Sequence, residues 1–262
     1  MNILNKFSLT GKVALVTGGS GLYGRQMVIA LAQAGAITYT ASRNLEKLTQ
    51  FTTKLKKEEN LEVTPLQYDQ SNHQSIIALK DEIIKREGHI DVLINNSVAR
   101  SGHIADLTFE KLESDLKVNG AGLIIMHREF ADQMAKQGNG SIINIGSIYG
   151  LVGYDDWLYE GTGLQKTGGA AYYYNKGGIG NLTKFFAGYY GSKGVRVNCI
   201  HPGGYETPKT PKDFKQNYIK KTFLKRMAND EDLKGIIVFL ASDASDYITG
   251  VNIPVDGGLT AK

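Results

Sequence analysis

Short, nearly continuous apolar runs rich in β-branched residues alternate along this chain with longer stretches of helical period. The runs cover residues 13–17, 37–41, 63–68, 92–94, 141–145, 195–200 and 251–255. The amphipathic stretches cover 22–34, 45–58, 74–87, 109–137, 172–190 and 231–242. A strand that is apolar at consecutive positions is buried on both faces. Strands of that kind, spaced by helices, build a parallel sheet with helices on both sides. The alternation therefore predicts an α/β, doubly wound parallel sheet of about seven strands. No proline- or serine-rich linker, repeat or low-complexity tract interrupts it, so a single domain over 1–262 is expected.

Composition narrows the class of protein. With 42% hydrophobic residues the chain can bury a core, and one cysteine, Cys199, excludes a disulfide framework and a cysteine-rich metal site. Cys199 lies in the run 195–200 and reads as core. The five histidines have no metal-ligand spacing, and no metal is assigned. A net charge of +4 does not by itself imply nucleic acid. No apolar stretch is long enough for a membrane helix, and residues 1–10 carry polar Asn2, Asn5 and Ser8 in place of a signal-peptide core. A cytoplasmic protein with a small-molecule substrate, and with no nucleic-acid or membrane partner, is expected.

Thr17-Gly18-Gly19-Ser20-Gly21-Leu22-Tyr23-Gly24 follows the first strand directly and opens a helical pattern. Gly19, Gly21 and Gly24 fit G-x-G-x-x-G. Glycines there allow a tight turn and close backbone approach to a pyrophosphate, and the helix N-terminus faces the phosphate with free N–H groups. The placement between strand and helix makes this a nucleotide site, with Gly18, Ser20, Gly21, Tyr23 and Gly24 as its cradle. An NAD site places a carboxylate at the end of the second strand for the ribose hydroxyls. Here Ser42 holds that position and Arg43 follows, which suits a 2′-phosphate; NADP is favoured, with NAD as the alternative.

These motifs, taken in order with others downstream, resemble the short-chain dehydrogenase/reductase family over essentially the whole chain. Asp69 closes the third strand, Asn95-Asn96-Ser97 the fourth, and Asn119 stands in Lys117-Val118-Asn119. Ser147 follows the fifth strand, Tyr172-Tyr173-Tyr174-Asn175-Lys176 matches Tyr-x-x-x-Lys, and 202–207 is similar to Pro-Gly-x-x-x-Thr. The resemblance implies a Rossmann-type sheet and an oxidoreductase that interconverts an alcohol and a ketone with NAD(P)(H). Leu22 stands where the family's middle glycine falls, so the spacing Gly18, Gly21, Gly24 is similar to the family's extended branch. Ser147 and Tyr172 are 25 positions apart, about twice the family's usual separation, which marks an insertion at 154–169. Residues 147–150 and 159–161 are similar to bacterial dehydrogenases of sugar and flagellin-glycan biosynthesis.

Reduction of a carbonyl leaves charge on oxygen that must be protonated. A tyrosine can supply that proton once a nearby ammonium favours its phenolate. Residues i and i+4 share one helix face, a condition that Tyr172 and Lys176 meet and that Tyr173 and Tyr174 do not. The resemblance adds that Ser147 bonds the substrate oxygen, that Lys176 also holds the nicotinamide ribose, and that Asn119 binds a proton-relaying water. It also implies Asp69 at the adenine, Asn96 near the adenosine ribose, and Pro202, Gly203 and Thr207 at the cofactor. Asn95 reads as a sheet-locking amide.

Two segments are expected to wall the substrate: the insertion, with Asp155, Asp156, Trp157 and Glu160, and a lid at 204–226. The lid carries seven cationic and two acidic side chains, which suits an anionic, sugar-like or carboxylated substrate or, alternatively, a solvated helix face. A 3-oxoacyl-[acyl-carrier-protein] reductase is the alternative within the same chemistry. A dinucleotide-binding scaffold without turnover is the alternative outside it. The family resemblance also implies a homotetramer or dimer, paired through the helices 109–137 and 172–190.

Overall fold

The computed structural model describes residues 2–163 and 169–261. Seven strands form one parallel sheet: β1 Val13–Thr17, β2 Ile37–Ser42, β3 Val63–Gln67, β4 Val92–Asn95, β5 Gly140–Ile145, β6 Val195–Pro202 and β7 Asn252–Val255. Their order is β3-β2-β1-β4-β5-β6-β7, so the chain reverses direction across the sheet between β1 and β4. The expected doubly wound sheet is present, and a crevice at such a reversal is where open α/β sheets bind ligands. β1, β4 and β5 are buried at every position, as their unbroken apolar runs require. β3 carries Pro65, pairs on one side only and is half-buried, as an edge strand allows.

The helices are α1 Leu22–Gln33, α2 Leu45–Glu59, α3 His73–Glu87, α4 Phe109–Leu116, α5 Leu123–Gln137, α6 Ala170–Tyr190, α7 Lys212–Lys221 and α8 Lys234–Ala241. The stretch expected as one helix over 109–137 is two, joined by a wider π-helical turn at Lys117–Gly122 that contains Asn119. α7 was expected only as a charged segment. Its buried stripe is short, with Phe214 and Tyr218 one turn apart, and it packs with Leu158, Tyr159, Ile148 and Met227 into a small second core. The two larger cores lie on opposite faces of the sheet, one around Phe130, Met126 and Phe186, the other around Met27, Leu31 and Ile237.

One buried polar chain crosses the sheet. Asn95 Nδ2 donates to Asn144 Oδ1 at 3.0 Å, and Asn144 Nδ2 donates to Thr183 Oγ1 on α6 at 2.9 Å. Asn95 and Asn144 are direct partners in the β4–β5 register. Asn95 is thus the sheet-locking amide that the sequence suggested.

Candidate active site

The first wall of the site is the turn between β1 and α1. Gly18 has φ +68°, a conformation that favours glycine. A Cβ on Gly24 would lie 2.3 Å from the Gly18 carbonyl oxygen. Helix α1 begins after Gly21 with no side-chain cap, leaving its first N–H groups directed at the cavity. Asn96 fastens the turn, donating from Nδ2 to the carbonyls of Thr17 at 3.0 Å and Gly18 at 3.1 Å. Tyr23 closes it from above by donating to the Gly203 carbonyl at 2.6 Å, and burial raises its pKa above the ordinary tyrosine value.

From this turn a cavity of about 590 Å³ runs along the carboxyl ends of the strands. Gly18, Ser20, Gly21, Tyr23, Gly24, Ser42, Arg43, Asp69 and Asn96 line it at one end, with Lys47 of α2 beside Arg43. Lys47 was missed in the sequence, although it lies one turn beyond Arg43 on an N-capped helix. Asp69 is held below the usual carboxylate range: partial burial opposes ionisation, but the Ser71 hydroxyl and N–H both bond its Oδ1. At the other end the lining includes Ser147, Tyr172, Lys176, Pro202 and Gly203; Thr207 is not part of it. The Thr207 N–H is instead bonded to Thr210 Oγ1 at 2.9 Å.

Ser147 follows β5 and is buried; its Oγ accepts from the Tyr149 N–H at 3.2 Å. Buried His201 braces it, with Nδ1 2.9 Å from the Ser147 carbonyl oxygen and Nε2 2.8 Å from Asn252 Oδ1. Lys176 is buried on α6 and donates to the Ile145 carbonyl at 2.6 Å; its Nζ lies 5.7 Å from the centre of the Tyr172 ring. Burial pulls the Lys176 pKa down, while Tyr172 opposes the shift. Of the three consecutive tyrosines only Tyr172 lines the cavity: Tyr174 is exposed, and the Tyr173 ring packs at 4.7 Å against that of Tyr149. Cys199 is buried, and burial pushes its thiol up to about 12.

Asn119 is engaged at both ends of its amide. Oδ1 accepts from the Ala99 N–H at 2.9 Å, and Nδ2 donates to the Ala99 carbonyl at 2.9 Å and to Asp115. The side chain thus grips a loop, and these bonds leave the Asn119 backbone carbonyl available for the water that the resemblance implies. Arg100, next along that loop, lies with Cζ 5.3 Å from the centre of the Tyr172 ring and lines the cavity.

The walls expected to face the substrate are arranged differently. From the lid, Gly204, Tyr205, Phe214 and Tyr218 line the cavity, but none of its lysines does. Lys215 pairs with Glu206 at 2.5 Å, Lys221 with Asp155 at 2.8 Å and Arg226 with Asp232 at 2.6 Å. Among the described residues of 154–169, none lines the cavity; 164–168 lie outside them. The described part instead supports α7, through Leu158 and Tyr159 against Tyr218 and through an Asn217 amide bond to the Glu160 carbonyl at 2.9 Å. Three of the lid's seven cations are thus taken up by carboxylates, and the cations of the cavity come from elsewhere.

A family model described as enoyl-(acyl carrier protein) reductase matches residues 20–260. The 3-oxoacyl-[acyl-carrier-protein] reductase of Thermotoga maritima is 30% identical over 257 residues, covering 96% of this chain and 98% of its own. The crystal structure of a gluconate 5-dehydrogenase from Burkholderia cenocepacia, in complex with NADP and tartrate, superposes with a TM-score of 0.85 at 29% identity over 99% of both chains. A short chain dehydrogenase from Leptospira borgpetersenii with bound NAD+ gives 0.84 at 31% identity, over 98% of this chain and 95% of that one.

Proposed function

The chain belongs to the short-chain dehydrogenase/reductase family of NAD(P)-dependent oxidoreductases, and from that premise we propose that it moves hydride between NADP(H) and the alcohol and ketone forms of a small sugar-like or carboxylated molecule. The observation that carries this reading is the meeting of Ser147, Tyr172 and Lys176 in the cavity that begins at the glycine turn. The cradle fits a dinucleotide: the turn is too close for side chains at Gly24, and uncapped helix N–H groups face the space where a pyrophosphate would lie. Gly18, Ser20, Gly21, Tyr23, Gly24, Pro202 and Gly203 would hold it, with Asp69 toward the adenine and Arg43 and Lys47 toward a 2′-phosphate.

When bound, the nicotinamide supplies or accepts the hydride. The chain's own groups handle the oxygen. Ser147 Oγ already accepts a backbone bond, which leaves its proton free to donate to the carbonyl oxygen. The Tyr172 hydroxyl gives its proton to that oxygen as negative charge develops there. The Lys176 amine, fixed on the Ile145 carbonyl, lies beside the Tyr172 ring and would hold the nicotinamide ribose. Asn119 would bind the proton-relaying water, and its side chain also fixes Ala99. Following absorbance at the reduced-nicotinamide band across a panel of sugars, hydroxy acids and ketones tests the reading; no turnover of any alcohol or ketone overturns it. The similarity to the Thermotoga maritima enzyme makes a 3-oxoacyl thioester the second substrate to try.

Cofactor choice gives a separate test. The unmodified protein is expected to bind NADP more tightly than NAD, because Arg43 and Lys47 both stand at the adenosine end. Replacing Ser42 by Asp and Arg43 by Gln together should move the ratio of affinities toward NAD by at least about tenfold, since a carboxylate accepts ribose hydroxyls and repels the 2′-phosphate. Fluorescence titration with both reduced cofactors measures it. Tighter NAD binding by the unmodified protein contradicts the assignment.

We also propose self-association through α4, α5 and α6. Leu123, Met126, Phe186 and Tyr190 are buried in the core, yet Phe185 is 62% exposed, Tyr189 58% and Tyr174 74%. Ile124 and Phe109 are exposed on the neighbouring helices. A partner subunit would cover this apolar surface. Light scattering at micromolar concentration should give a mass of two or four chains; a mass near 28.6 kDa refutes it.

A further inference from the structure

Arg100 is the cation that the proposed chemistry leaves unused. It extends into the cavity with its guanidinium over the Tyr172 ring, and no carboxylate pairs with it among the described residues. Its backbone is fixed from both sides. Asn119 binds the N–H and the carbonyl of Ala99, and Asp115 Oδ2 accepts from the Ser101 N–H at 2.9 Å. Asp115 is buried, and its Oδ1 is held in turn by the amides of Asn119 and Asn175. Three buried polar side chains from α4, the π-helical turn and α6 thus clamp the two residues that flank Arg100.

The charge of the cavity agrees. Among the described residues its lining holds four cations, Arg43, Lys47, Arg100 and Lys176, and one carboxylate, Asp69, which lies at the adenosine end. Arg43 and Lys47 are placed for the cofactor, and Lys176 is held by the Ile145 carbonyl. Arg100 alone is left facing the space beside Tyr172. A guanidinium binds a carboxylate through two parallel N–H bonds, and a backbone held in place keeps its base beside Tyr172.

We propose that Arg100 is the substrate's anion site, so that the preferred substrate is a small hydroxy or keto acid whose carboxylate lies a few bonds from the reacting carbon. This rests on the oxidoreductase reading above and adds the substrate class to it. A neutral polyol offers Arg100 no charge, and an acyl thioester offers none near the reacting carbonyl.

The test uses the full chain saturated with NADPH, with which tartrate, having no carbonyl to reduce, cannot turn over. Tartrate and threitol share a four-carbon backbone and differ in their carboxylates. Calorimetry is expected to show saturable tartrate binding and at least about tenfold weaker threitol binding. Arg100→Met should weaken tartrate binding at least about tenfold and leave NADPH affinity within about twofold, while Arg100→Lys should retain part of it. Unchanged NADPH affinity also shows that the variants are folded. Failure of the unmodified chain to bind either NADPH or NADH would sink the oxidoreductase reading itself. With NADPH bound, three results overturn the anion site alone: no tartrate binding, equal threitol binding, or an Arg100→Met protein that binds tartrate normally. A parallel fall in NADPH affinity would move Arg100 to the cofactor and overturn it as well.

Discussion

Phenylalanine at position 172 is expected to reduce turnover at least about a hundredfold, the usual contribution of a positioned acid. The substitution removes one hydroxyl and keeps the ring that lies against Arg100 and Lys176. Cofactor affinity should therefore stay within about twofold, and the loss should appear in kcat. Two other tyrosines compete for the role. Tyr149 also lines the cavity, but its hydroxyl lies 3.2 Å from that of Tyr159, and burial raises its pKa far from neutrality. Tyr173 turns toward Tyr149 and does not line the cavity. Steady-state kinetics of Tyr172→Phe beside Tyr149→Phe separates them. Near-normal turnover in the first with collapse in the second would reassign the proton donor.

Alanine at position 24 is expected to weaken NADPH binding at least about tenfold, or about 1.4 kcal/mol. Its Cβ would stand 2.3 Å from the Gly18 carbonyl oxygen and 2.9 Å from Gly19 Cα, both of them backbone atoms of the cradle. Neither can swing aside as a side chain would, and overpacking of this kind costs about 1–3 kcal/mol. The turn would have to open, carrying the helix N–H groups of α1 away from the phosphates. Fluorescence titration checks it; affinity within twofold of the unmodified protein would mean that the cradle is not where the pyrophosphate lies.

What the sequence disclosed follows from how local each signal is. β-branched apolar runs mark buried strands because both faces need the same chemistry, and all seven strands are found within a residue or two of those runs. The glycine turn and the Tyr172–Lys176 spacing are equally local, and the structure brings both to one cavity. The helix expected over 109–137 loses its apolar period at Lys117–Gly122, where Gly120 and Gly122 weaken it, but those glycines do not specify the wider turn that directs Asn119 at Ala99. Helix α7 was hidden by its lysines, although Phe214 and Tyr218 were a readable one-turn pair. The lid's charges could be counted but not paired, since Asp155 and Lys221 meet only through tertiary packing. Arg100 carried no signal for the same reason: its neighbours on the page are alanine and serine, and its meaning comes from Tyr172, on a helix far along the chain.

The Asn95–Asn144–Thr183 chain has a bearing on how the catalytic groups come into alignment. Ser147 lies three residues past Asn144, and Thr183 shares α6 with Tyr172 and Lys176. If β5 slipped by one residue against β4, the two asparagine amides would part inside the protein. Each buried group left unpaired costs about 1–3 kcal/mol, and the slip would also turn every neighbouring side chain to the opposite face. Only the observed offset keeps the bonds from Asn95 to Asn144 and from Asn144 to Thr183. That offset, with the bond to α6, sets Ser147 opposite Tyr172 before any ligand arrives. The alignment of Ser147 with Tyr172 is thus tied to an amide three residues before the first and a hydroxyl eleven residues after the second, neither of which lines the cavity.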